Sequence, residues 1–136
     1  MNIERTIHIC DKDVLMCYCT ATETGFESIS GKSSVIFIPK ITKDENGNIQ
    51  SVTPQSNVAD CITLAVAGII ASYTRRHQDA PITSEDIMYD ASPEEVQDLI
   101  RNILEMRNEW YKVPVLVKPE EGEQANEPSD ADSEKN

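Results

Sequence analysis

The sequence predicts an α+β fold: an N-terminal β-hairpin, with or without a second β element, packed with three to four α-helices. Three observations carry that prediction. The first residues alternate with period two, the second half repeats its apolar positions every three to four residues, and the longest uncharged apolar run, Cys61 to Tyr73, has only 13 residues. At the N-terminus Ile3, Arg5, Ile7 and Ile9 alternate with Asn2, Glu4, Thr6 and His8, the pattern of a half-buried strand. Asp11-Lys12-Asp13 is a charged break of turn type. Val14-Leu15-Met16-Cys17-Tyr18-Cys19 follows and is apolar on both faces, so burial on both is expected.

A short helix is expected from Thr20 to Ser30, burying Ala21, Phe26 and Ile29 and ended by Gly31 in a left-handed conformation. The stretch from Ser33 to Asn57 supports two readings. Val35-Ile36-Phe37-Ile38 suits an edge strand limited by Pro39, and Asn46-Gly47 is a strong hairpin signal between Ile41 and Ile49-Gln50-Ser51-Val52. The other reading is a long mobile loop.

The helices of the second half are more sharply drawn. Val58, Ile62, Ala65, Val66, Ile69, Ile70 and Tyr73 form a broad stripe on a helix from Val58 to His77. Arg75, Arg76 and His77 complement the negative end of its dipole. Thr83 can cap a short helix through Ile87, Met88 and Tyr89. Ser92-Pro93-Glu94-Glu95 is a capping box with proline at the first helical position, and Val96, Leu99, Ile100, Ile103, Leu104, Met106 and Trp110 continue behind it. Residues 1–116 are therefore expected to form a single α+β domain. Residues 117–136 lack aromatic residues and cannot bury enough surface to offset their ordering entropy, so a disordered acidic tail is expected there.

Charge narrows the function classes. The 136 residues carry 24 acids against 12 Lys and Arg, a net charge of −12, and half of that excess lies between Pro119 and Asn136. Such a balance argues against binding a phosphate backbone, which needs a basic face, so no nucleic-acid partner is expected. A run of 13 residues is short of the roughly 20 that cross a bilayer, and Glu4 and Arg5 interrupt any leader, so no membrane partner is expected and the protein reads as soluble and cytoplasmic. Cys10, Cys17, Cys19 and Cys61 then read as free thiols acting as small hydrophobes.

No motif carries catalysis or a cofactor. His8, Cys10, Cys17 and Cys19 form two i, i+2 pairs, but a two-residue turn placing Cys10 opposite Asp13 would leave Cys17 about 13 Å away, too far to share a zinc ion. There is no CxxC, and no cysteine is expected to have its pKa depressed by a helix start. Neither His8 nor His77 is placed as a general base. Ser30-Gly31-Lys32-Ser33 ends like a phosphate-binding loop, but the glycine required at position 26 is Phe26. Trp110-Tyr111 can be read as a core anchor or as a partner-binding anchor.

The order of these features resembles the phage tail assembly chaperones over about residues 5–116. The similar stretches are the hairpin Thr6-Ile7-His8-Ile9-Cys10-Asp11-Lys12-Asp13-Val14-Leu15, the segment Tyr18-x-x-Ala21-x-Glu23-x-Gly25-Phe26-Glu27-x-x-Ser30-Gly31-Lys32, and the apolar helix Leu64-Ala65-Val66-Ala67-Gly68-Ile69-Ile70. Pro81-Ile82-Thr83-Ser84-Glu85-Asp86-Ile87 and the ending Glu109-Trp110-Tyr111-Lys112-Val113-Pro114 follow, before a polar, acidic tail. Residues 35–57 look longer and more strand-like than that family usually shows. The resemblance implies a non-enzymatic, cofactor-free binding protein that holds the tape measure protein soluble and recruits major tail tube subunits, acting as a homo-oligomer in the host bacterial cytoplasm and absent from the mature virion. Exposed parts of the two helical stripes would supply client contacts, with Ile69, Tyr73, Leu99, Ile103, Trp110 and Tyr111 as the candidate residues. The rival readings are a structural tail or head-completion protein and an acidic inhibitor that mimics DNA.

Overall fold

A computed structural model describes residues 3–112, so the acidic segment 117–136 lies outside the described residues. The fold is α+β, with two separate antiparallel hairpins and four helices among the described residues. Strand β1 (Ile3–Ile9) pairs with β2 (Lys12–Tyr18), α1 spans Thr20–Ser30, and a 3-10 turn covers Ser34–Phe37. The second hairpin joins β3 (Lys40–Lys43) to β4 (Ile49–Thr53), and α2 (Val58–Thr74), α3 (Ser84–Asp90) and α4 (Pro93–Tyr111) follow.

The first hairpin turns one residue earlier than its charges suggest. Ile9 pairs with Lys12 and His8 with Asp13, which leaves Cys10 and Asp11 as the two turn residues, at φ 53° and 61°. Two consecutive positive φ values match the right-handed twist of the strands, so twist and not charge sets the turn. Lys12 is free to reach away, and its Nζ donates to the Pro81 carbonyl at 2.7 Å. The register places Ile3, Arg5, Ile7 and Ile9 on one face with Val14, Met16 and Tyr18. Ile7, Ile9, Val14, Met16 and Tyr18 are buried. On the other face only Cys17 is buried and Leu15 is half-buried, so β2 is not covered on both sides as its composition suggests.

Helix α2 seals the outer edge of β2. The Leu15 amide donates to the Tyr73 hydroxyl at 3.2 Å, and the Cys17 carbonyl accepts from Thr22 Oγ1 of α1 at 3.0 Å. Gly68 makes this approach possible. A Cβ there would stand 2.6 Å from the Cys17 carbonyl oxygen, 3.2 Å from Met16 Cγ and 3.3 Å from Ile103 Cδ1. Around that contact Leu64, Ala65, Ile69, Phe26, Leu99, Ile103 and Met106 form the core. Ala21 and Ile29, expected on the buried face of α1, are exposed; Thr22 and Phe26 bury that face instead.

Ion pairs fix the strand–helix orientation. Arg5 reaches α4, donating to Asn102 Oδ1 (2.7 Å), Glu105 Oε1 (2.9 Å) and Glu109 Oε2 (2.6 Å). Glu4, on the opposite face, accepts from Ser72 Oγ at 2.8 Å and from both terminal nitrogens of Arg76 on α2. Thr83 and Ser92 cap their helices as the sequence suggests, closing capping boxes with Asp86 and Glu95, and Asn57 closes a further one with Asp60 at the start of α2. Gly31 ends α1 at φ 74°.

Replacing Gly68 by alanine is expected to force β2 and α2 apart and to cost about 1–3 kcal/mol, the usual range for overpacking a core. Urea unfolding of the Gly68→Ala variant checks this, and an unchanged midpoint would contradict the close approach.

Candidate partner-binding surface

The structure divides the six candidate contact residues between core and surface. Ile69, Leu99 and Ile103 have no exposed surface and belong to the core. That corrects their assignment as client contacts: these three side chains pack against the first hairpin and between α2 and α4, while Val58 and Ile70 of the α2 stripe stay exposed. Tyr73 is half-buried, and its hydroxyl satisfies the Leu15 amide. Trp110 packs against Tyr18 with ring centres 5.7 Å apart and meets Tyr111 edge-on at 4.9 Å.

Tyr111 is 43% exposed but is held from within. Its hydroxyl donates to the Glu23 carboxylate at 2.6 Å, and the same carboxylate accepts from Tyr18 at 2.8 Å. Burial and the nearby Glu23 push the Tyr18 hydroxyl far above its ordinary pKa, so it stays a donor. The buried Arg107 guanidinium lies 4.7 Å from the centre of the Tyr111 ring. This corner locks the end of α4 to the first turn of α1. The core-anchor reading of Trp110 is the one its contacts support.

The unclaimed apolar surface lies elsewhere. Ile29, Val35, Ile38, Ile41, Ile49, Val52 and Val58 are all exposed, and between Ile29 and Val58 only Phe37 joins the buried core. The Val35–Ile38 run is not the edge strand its β-branching suggests. Ser33 Oγ accepts from the Val35 amide and starts a 3-10 turn that drops Phe37 onto Phe26, with ring centres 4.8 Å apart. Of the two readings of the following stretch, the Asn-Gly hairpin is the one that forms. Asp44 organises its tip, accepting from the Asn46 and Asn48 amides at 2.8 and 2.9 Å, and Gly47 takes φ 85°.

The β3–β4 arm has a polar face and an apolar face, which the sequence alone does not arrange. Ile41 pairs with Val52 and Thr42 with Ser51, but Lys43 pairs with Ile49, so Gln50 is an extra residue in β4. Without that bulge Ile49 and Val52, three residues apart, would point to opposite faces. With it, Ile41, Ile49 and Val52 share one face, with Lys43 at its end, while Thr42 and Ser51 bond to each other across the other. Every residue of both strands is exposed, and the strands pack chiefly against one another. Gln55 Nε2 closes the base of the arm on the Ile38 carbonyl at 2.6 Å.

Local charge separates the arm from the rest of the chain. Residues 38–57 carry Lys40 and Lys43 against Asp44 and Glu45, a neutral balance within a chain of net charge −12. Lys32 is committed to the body, where its Nζ lies 2.8 Å from Asp60 Oδ1 at the start of α2.

A shallow polar cleft of about 310 Å³ lies between the first turn and α3, lined by Cys10, Asp11, Lys12, Ile82, Asp86 and Asp90. Burial and surrounding carboxylates push the Cys10 thiol up, which makes it a poor nucleophile. Cys19 differs from expectation because it is the N-cap residue of α1. Burial raises its pKa, but hydrogen bonds from the Thr22 and Ala21 amides outweigh that and hold the thiol below its ordinary value. Among the described residues no three His, Cys, Asp or Glu side chains gather as a metal site, and no helix is long and apolar enough to cross a membrane. Comparison of the chain with protein-family models, curated proteins and solved structures found no match.

Two expectations separate arm from body. Ile41→Ser with Val52→Ser should shift the melting temperature by no more than about 2 °C, because neither side chain supports the core, whereas Leu99→Ala should cost about 2–5 kcal/mol; calorimetry of the two variants measures both. The second concerns pH. Hydrogen bonds from Arg76 to Glu4, from Lys32 to Asp60 and from Arg5 to Glu105 hold these carboxyls below their ordinary pKa. Each binds a proton less readily folded than unfolded, so the stability they contribute is complete above the unfolded values of about 3.9–4.3 and is lost as pH falls through the lower folded values. Urea midpoints should therefore drop between about pH 5 and pH 3. Asp60→Asn should reduce that drop while costing about 1–2 kcal/mol at pH 7 through the weakened cap and lost ion pair.

Proposed function

We propose that the protein is a non-catalytic tail assembly chaperone of a phage or prophage, holding the tape measure protein and major tail tube subunits during tail assembly. The order of elements that resembles this family supports the reading. The observation that carries it is the arm: an exposed hairpin whose three aliphatic residues are brought onto one face by a bulge, in a chain that also leaves Ile29, Val35, Ile38 and Val58 exposed. An exposed aliphatic face on a small acidic protein is an interaction surface, and a long, partly apolar client offers strands and side chains to cover it. The acidic body around the patch favours solubility of the loaded complex through like-charge repulsion. The contacts with client thus move from the α2 and α4 stripes to the arm.

Co-expression with the tape measure protein tests the assignment. The wild-type chain should keep it soluble and co-purify with it, and Ile41→Asp with Val52→Asp should lose most of that recovery without loss of fold. A tape measure protein that stays insoluble and unbound beside the wild-type chain would overturn the reading.

A further inference from the structure

A hairpin of two strands is marginal in water unless further strands or a helix cover it. The first hairpin is covered by α2 and α4. The second is not: every residue of β3 and β4 is exposed, and the strands pack chiefly against one another. Its two edges are unequal. On one side β3 carries Lys40 and Lys43 behind Pro39, which discourage strand pairing. On the other, Ile49-Gln50-Ser51-Val52-Thr53 is uncharged, rich in β-branched residues, and among the described residues pairs only with β3.

We propose that β4 pairs antiparallel with β4 of a second copy of the chain, about a two-fold axis beside Val52. The bulge at Gln50 leaves Ser51-Val52-Thr53 as the regular part of the strand, and this register uses that part. Val52 then stands opposite Val52 of the second copy, and Ser51 opposite its Thr53. A two-fold axis normal to the sheet keeps each face on its own side. Ile41 and Val52, already paired, therefore continue into Val52 and Ile41 of the second copy, four aliphatic side chains in a row across four strands. On the other face Thr53, paired with Lys40, meets Ser51 of the second copy, so polar groups meet polar groups.

Charge and closure favour a second copy as the occupant. A net charge of −12 opposes the approach of two chains, but residues 38–57 are neutral, so the arms meet without that penalty. Antiparallel pairing also sets the tip of each arm, with Asp44 and Glu45, toward the basal end of the other, where Lys40 stands. Each copy offers a single bare edge on its arm. Pairing therefore closes at two, with the lysine-guarded β3 strands outermost on both sides. The inference needs the bare edge and not the identity of the client, so each can fail without the other.

Light scattering on the full-length chain tests it. Wild type should pass from monomer to dimer, and no further, as concentration rises. Ser51→Lys with Thr53→Lys sets like charges opposite one another in this register, and Ser51→Glu with Thr53→Glu does the same. Each double variant should raise the midpoint concentration at least tenfold. An equimolar mixture of the two should dimerise at least as readily as wild type, because every lysine then opposes a glutamate. Both positions are exposed and outside the core, so the fold is kept. A monomeric wild type overturns the proposal, and one that still keeps the tape measure protein soluble leaves the edge to the client. A wild type that assembles beyond the dimer, a lysine variant that dimerises like wild type, and a mixture that stays monomeric overturn it as well.

Discussion

The architecture depends on how closely α2 can approach β2. A two-stranded sheet is marginal on its own, and this one is made stable by a helix laid along its edge. Gly68 sets the distance. Because no Cβ separates them, the helix comes near enough for Tyr73 to meet the Leu15 amide, and Met16 and Ile103 close around the same point. The polar ties have a different role. Arg5 and Glu4 leave β1 on opposite faces and hold α4 and α2 respectively, which fixes the orientation of the hairpin between the helices. Exposed pairs of this kind contribute little energy singly, so their effect is on geometry more than on stability.

Much of this was legible in the sequence. Periodicity located α2 and α4, the cap residues Thr83 and Ser92 marked the starts of α3 and α4, and Gly31 marked the end of α1. The failures turned on packing and strand twist, which local composition does not carry. Val35–Ile38 has the composition of a strand, but a Ser33 cap and the contact of Phe37 with Phe26 make a 3-10 turn more favourable. The first turn sits on Cys10 and Asp11, although neither is a glycine, because strand twist outweighs their steric cost.

The binding surface was the least legible feature. An amphipathic stripe has the same pattern whether it faces its own core or a partner, so Leu99 and Ile103 could not be distinguished from client contacts by spacing. The apolar face of the arm is hidden in the sequence for the opposite reason. Ile41, Ile49 and Val52 do not share a period, and only the extra residue at Gln50 brings them together.

The arm is also nearly separable from the body. Its base is closed by Gln55 on Ile38, and between Ile29 and Val58 the core draws on Phe37, with Ile36 packed against it. Substitutions across some twenty positions could therefore accumulate without reaching the packing around Gly68. A body held to one close approach, carrying an arm held to almost nothing, lets recognition diversify while the scaffold stays fixed: the arm is a place where one lineage of such proteins could acquire new partners faster than it could acquire a new fold.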